Sequence, residues 1–263
     1  MSKRGFMLVI AVTGVAALVG AQDKKEPSTV VVPKKNQVTP KEAAAIKKIQ
    51  DANTPDARIA AVDAFVTGFP DSTFKAPALY EAAESADLKA DYAKAVTYGE
   101  LSLEADPMRF DAMLLVAGEL AQHTQKNDLD KKEKLTKADK YVKQALDIIP
   151  NAAKPAPTVS DADWEAFKKD KVAEAHKDLG LIATANGDFK TAATEYKNAM
   201  DTEATPDSVL MARLGDAYNQ TNQYADAKAV LDKVLAMPNL DPRVKAFADQ
   251  EKATAERGLK GGK

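Results

Sequence analysis

Two pairs of small residues in the C-terminal third of the chain share one spacing. Gly180 and Gly215 are 35 residues apart, and so are Ala192 and Ala227. One offset carried by two independent markers is the mark of a repeat, in which a supersecondary unit stacks on its own copy. Residues 173–206 contain Leu179-Gly180, Gly187, Ala192, Tyr196 and Ala199, and residues 208–241 repeat the pattern with Leu214-Gly215, Tyr218, Ala227, Leu231 and Val234. In such a unit small residues let two helices approach closely, an aromatic ring or leucine fills the gap between neighbouring hairpins, and glycine makes the turn.

The units are helical. Apolar residues recur at helical spacing, as in Ile59, Val62, Phe65, Val66 and Phe69, or Tyr92, Val96 and Leu103, and no segment sustains strand alternation. Aromatics are only 6% of a chain that is 45% hydrophobic, and alanine is abundant, a mixture suited to close helix packing and poor in sheet formers. Helix starts are marked by Thr39-Pro40-Lys41-Glu42, Thr54-Pro55, Thr205-Pro206 and Asp241-Pro242, which pair a capping oxygen with a proline at the first helical position. Ser160-Asp161-Ala162-Asp163 offers a cap without proline. Stops fall at Gly68 before Pro70, Asp106-Pro107, Ile149-Pro150, Asn186-Gly187 and Met237-Pro238. The expected class is all-α, a chain of helical hairpins with helices of roughly 12–16 residues.

This pattern resembles the tetratricopeptide repeat family, and more narrowly its exported bacterial members. The resemblance is carried by NGDFKTAATEYKNAMD, by NQYADAKAVLDKVLAMP and by ADYAKAVTYGELSLEADP at residues 90–107. It implies a right-handed α-solenoid over residues 39–258, with units near 39–72, 76–109, 110–150, 173–206 and 208–241. A solvating cap helix follows at 241–258, then a disordered tail at 259–263. In the unit at 110–150, Ala138, Tyr141, Ala145 and Pro150 fit the pattern, while its turn, HTQKNDLDKKEK, is longer than the family's. Residues 151–172 depart from the ladder, inserting a proline-containing connection and a helix that carries the only tryptophan, Trp164, with Phe167 three positions on. That aromatic pair is expected to pack or cap.

The resemblance further implies that the first helix of each hairpin lines a concave groove for a protein or peptide. Carried over by register, the candidate partner-binding residues are Tyr80, Glu84, Leu114, Lys177, Leu181, Thr184, Asp216, Asn219 and Gln220. The lysine and asparagine clamp with which some relatives grip a C-terminal carboxylate is not reproduced, since Leu181 follows Lys177 one turn later.

Residues 1–21 read as an export signal, with Lys3 and Arg4 before an apolar run from Phe6 to Val19 and the small-residue site Val19-Gly20-Ala21. Cleavage is expected between Ala21 and Gln22, giving a periplasmic or secreted protein. The run is shorter than the roughly 20 apolar residues of a spanning helix and contains Thr13 and Gly14. Retention as an anchor is the alternative, and only then is the membrane a partner. Residues 22–38, with their charges and two prolines, read as a flexible tether. The absence of cysteine excludes disulfides, thiolate metal sites and a lipidated cysteine.

Loss of Lys3 and Arg4 leaves 35 basic against 39 acidic residues, a net charge of −4, and nucleic acid is not an expected partner. The lysines between Lys131 and Lys143 are interleaved with acids and read as a solvated helix face. Histidines number two, His123 in the long polar turn and His176 at a packing position, and no metal, phosphate or dinucleotide motif occurs. Asn127-Asp128-Leu129-Asp130 lacks the glycine of a calcium loop. The expectation is a non-catalytic binding scaffold without cofactor or metal, the alternative being a membrane-tethered component of an envelope assembly or secretion complex.

Overall fold

The computed structural model describes residues 38–203, 205 and 207–261. The expected export signal, its cleavage site, all but the last residue of the tether, and Pro206 lie outside them. Among the described residues there are eleven α-helices and no strand. They are α1 (Pro40–Asp51), α2 (Pro55–Gly68), α3 (Lys75–Leu88), α4 (Tyr92–Ala105), α5 (Phe110–His123), α6 (Lys131–Ile148), α7 (Asp161–Asn186), α8 (Phe189–Thr202), α9 (Ser208–Gln220), α10 (Tyr224–Leu235) and α11 (Pro242–Gly261). A single 3₁₀ turn, Ile149–Asn151, follows α6.

Capping chemistry sets the boundaries. Thr39 and Thr54 accept from the amides of Glu42 and Ala57, each with proline at the first helical position, and Ser160 accepts from Asp163. Glu42 does not reach back to its own cap; its carboxylate takes the Ser72 hydroxyl at 2.5 Å. The start expected at Thr205-Pro206 lies later, because Asp207 captures the Leu210 amide at 2.7 Å and α9 begins at Ser208. At the far end α11 runs to Gly261, so Leu259–Gly261 is helical and not a tail. The Trp164 insertion forms no helix of its own either. Nothing breaks the helical run after Ser160, and α7 continues for 26 residues into the first helix of the next hairpin.

Three hairpin turns are built alike. Ala90, Gly187 and Asn222 each take positive φ (56°, 79° and 61°), and the amide of the following residue reaches back to a carbonyl near the end of the first helix, Asp91 to Ala86, Asp188 to Ala183 and Gln223 to Tyr218. This is a Schellman turn that satisfies carbonyls at the end of the first helix and reverses the chain. An aromatic residue then opens the second helix and a fully buried alanine follows three positions later, in the pairs Tyr92–Ala95, Phe189–Ala192 and Tyr224–Ala227.

The marker glycines Gly180 and Gly215 lie inside helices, away from the turns. A Cβ on Gly180 would stand 2.3 Å from the Tyr196 ring, and one on Gly215 would stand 2.6 Å from Leu231. The large side chain of the second helix is therefore seated on a bare stretch of the first helix of the same hairpin. Hairpins then stack in series, with α2 against α3, α4 against α5, α6 against α7 and α8 against α9, while α3–α5–α7 also touch along one side. The core follows this order as three local clusters, around Ile46–Ala82, Leu103–Ile182 and Ala183–Ala255. That is the energetic signature of a solenoid, in which each unit contacts its neighbours.

Gly180→Ala is expected to destabilise the fold by about 1–3 kcal/mol in urea denaturation, because overpacking at the Tyr196 seat outweighs alanine's helix propensity. Gly68→Ala, whose new methyl meets nothing within 4 Å, should be neutral or more stable by no more than about 1 kcal/mol. Equal effects at the two sites would refute the seat.

Candidate functional site

Residues carried mainly by the odd-numbered helices line a groove of about 2920 Å³. Pro77 to Leu88 of α3, Phe110 to Gln122 of α5, Lys171 to Leu181 of α7 and Val209 to Arg213 of α9 line it, together with the links between hairpins and the start of α11. Of the candidate residues, Tyr80, Glu84, Leu114, Lys177 and Leu181 lie on this groove.

The other four are elsewhere. Thr184 bonds the Gly180 carbonyl and the Tyr196 hydroxyl inside its own hairpin. Asn219 is buried under α11, donating to the Glu251 carbonyl at 2.8 Å and its carboxylate at 2.9 Å. Asp216 and Gln220 pair with each other at 3.1 Å one turn apart, off the groove. Repeat register assigns these four to the concave face, but α11 packs on α9 as well as on α10 and covers Asn219, while Thr184 turns into its own hairpin.

Aromatic residues form one wall of the groove. Trp164 stacks on Phe167 at 5.1 Å, Phe110 lies 6.3 Å from Phe167, and the Trp164 indole donates to the Ala152 carbonyl at 3.0 Å. The pair thus packs, as its spacing implied, and the packing fastens the 151–155 connection to α7. Cations sit over rings nearby, Arg109 over Tyr80 and Lys171 over Phe167.

The floor is acidic. Thirteen carboxylates and six cationic side chains line the groove, a net of −7 in a chain whose total is −2. The cations are engaged, Arg109 with Asp111, Lys171 with Glu174, Lys177 with Glu203 and Asp207, Arg243 with Asp241, Arg58 with the Ala52 carbonyl and Arg213 with Gln122. Burial therefore leaves several acids undercompensated. It pushes the Glu84 carboxyl up to about 7, with Glu81 adding repulsion, and raises Glu81 as well. Asp178 is raised well above the ordinary carboxylate range, by burial and then by Glu174.

Both histidines are structural. His123 ends α5 instead of lying in the turn, stacked on Tyr92 at 4.6 Å and 3.5 Å from Glu119. His176 meets Glu195 at 2.7 Å on the side of α7 away from Glu174 and Asp178. Asp128 accepts from the Gln125 amide at 3.0 Å, an ordinary turn contact. Among the described residues no three His, Asp or Glu side chains converge to hold a metal, and no helix is long and apolar enough to cross a membrane.

Sequence reasoning missed Asp178, Lys171, Gly118 and the apolar rim described below. The i, i+4 spacing of Glu174 and Asp178 was the available signal, because it places both on one face of α7. Nothing in the sequence marked the rim.

Stacked hairpins along a groove define a helical-repeat fold. Residues 183–250 match the tetratricopeptide repeat family. No curated protein matches the sequence. Among solved structures, a thermophilic TPR protein of Thermus thermophilus aligns over 80% of this chain and 98% of its own, with a TM-score of 0.53 and 16% identity. A tetratricopeptide repeat protein from Parabacteroides merdae aligns over 84% and 91%, with a TM-score of 0.40 and 14% identity. The first likeness shows the same fold across most of the chain.

Between pH 4.5 and about 7 the folded chain keeps on Glu84 a proton that the unfolded chain has lost, so this group makes stability fall as pH rises through that window. Glu84→Gln should be the more stable protein at about pH 8, by at most about 3 kcal/mol, and lose that advantage near pH 4.5. Urea denaturation at both pH values tests this, and parallel pH dependence of the two proteins would contradict it.

Proposed function

We propose that the chain is an exported, non-catalytic scaffold that holds a segment of a partner protein in the groove along its odd-numbered helices. The observation that carries this reading is that four of the eight large apolar side chains left exposed among the described residues, Leu88, Met108, Val209 and Phe247, at 65%, 62%, 42% and 39% exposure, border the groove. Large apolar side chains left in water around a concavity are the mark of a surface that a partner dehydrates. The tetratricopeptide fold supports binding in general, and the groove is long enough for an extended segment to touch several hairpins.

Export rests on the charged, apolar and small-residue order of residues 1–21. The second reading, a tethered component of an envelope assembly or secretion complex, uses the same apolar run as an anchor.

Crosslinking capture from the native envelope, with the full chain as bait, tests the groove. The double variant Leu88→Ser plus Met108→Ser should lose most of the captured partner, at least about tenfold, while keeping its urea midpoint, because both side chains are already exposed. Undiminished capture would count against the groove. N-terminal sequencing of the mature protein should begin at Gln22. An intact Met1 in the membrane fraction would favour the tethered reading.

A further inference from the structure

The groove floor, where α7 packs on α5, holds a carboxylate with one oxygen that no hydrogen bond satisfies. Asp178 is 6% exposed, its Oδ2 has no hydrogen bond, and its Oδ1 would stand 3.0 Å from a Cβ at Gly118, the residue it faces across the groove floor. A buried acid in this state lacks the contacts that normally offset its desolvation. Its surroundings are anionic. Glu174 lies one turn earlier on α7, Glu81 and Glu84 face in from α3, and Asp111 comes from α5. The cations that act on Asp178 are Lys171, Lys177 and Arg213, and each is already engaged, Lys171 with Glu174 at 2.8 Å, Lys177 with Glu203 and Asp207, and Arg213 with Gln122 at 3.3 Å.

Resting on the groove-binding reading above, we propose that this part of the floor receives a lysine or arginine side chain from an extended segment of the partner. Asp178 would take the charged head, with Glu174 one turn earlier on α7 and Glu84 on α3 adding to the negative charge of the lining. The excess of carboxylates over cations on the groove lining favours a cationic partner and steers its approach. The absence of converging metal ligands among the described residues points to an organic cation in place of a metal ion. Gly118 contributes by omission, since a side chain there would fill the space in front of Asp178.

The test is selection from a random twelve-residue peptide library displayed on phage, with the full chain as bait, run in parallel on the wild type and on Asp178→Asn plus Glu84→Gln. Both substitutions preserve side-chain size, and a circular dichroism melt of the variant verifies folding. The wild type should enrich peptides that share one lysine or arginine. Replacing that residue by norleucine in a synthetic peptide should weaken binding to the wild type by about tenfold to a hundredfold. The folded double variant should bind the two peptides equally. Enriched peptides without a shared basic residue, or a basic preference that survives in the variant, would overturn this proposal and leave groove binding intact. No enrichment by the wild type would overturn the groove reading itself. If the double variant fails to fold, Asp178→Asn alone replaces it in the same comparison.

Discussion

The hairpins α7–α8 and α9–α10 depend on a large side chain resting on a place where the opposing helix has none. Tyr196 on Gly180 and Leu231 on Gly215 bring two helix axes closer than any side chain at the glycine would allow. Val116 on Gly99 and Tyr224 on Gly258 extend the same device between hairpins and to the cap. Fully buried alanines at the second-helix position, Ala95, Ala138, Ala192 and Ala227, continue the close approach. Interiors packed this tightly tolerate little change in volume, so the crossing geometry passes from one unit to the next.

A fixed crossing makes the first helices fall in a row, and the row makes the groove. The fusion in α7 modifies it. Because residues 161–186 are one rigid rod, the Trp164–Phe167 stack is held against Phe110 of the preceding hairpin, and the Lys171, Glu174 and Asp178 face follows on the same helix. The long helix therefore sets an aromatic wall beside an acidic floor. The ion pairs of Arg109 and Lys171 keep that floor from being wholly unbalanced, yet burial still shifts Glu84 and Asp178 strongly upward.

Much of the fold was legible because its causes are local. The caps of α1, α2 and α7 are short-range contacts between a side-chain oxygen and an amide three residues on, so Thr39, Thr54 and Ser160 announce them. The Schellman turn at Gly187 was visible for the same reason. Its equivalents at Ala90 and Asn222 were not, since neither residue demands positive φ and the tertiary arrangement imposes it on them. Nearly half of the candidate site was misplaced by trust in register. Asn219 and Thr184 occupy the expected turn of their helices, but whether that turn faces the groove depends on what packs against it.

The sequence alone therefore determined the all-helical class, the repeat period and the helix starts at Thr39, Thr54 and Ser160. These follow from helical periodicity, capping and the exclusion of side chains at crossings, all of which act within a few turns of chain. Only the tertiary structure decided which of the nine register-assigned candidates line the groove, that α7 is a single rod, that α11 covers Asn219, and that Asp178 is buried against Gly118 with one carboxylate oxygen unbonded. Each of those depends on contacts between residues far apart in the chain, where burial and electrostatic compensation are properties of the assembled groove and not of any local pattern.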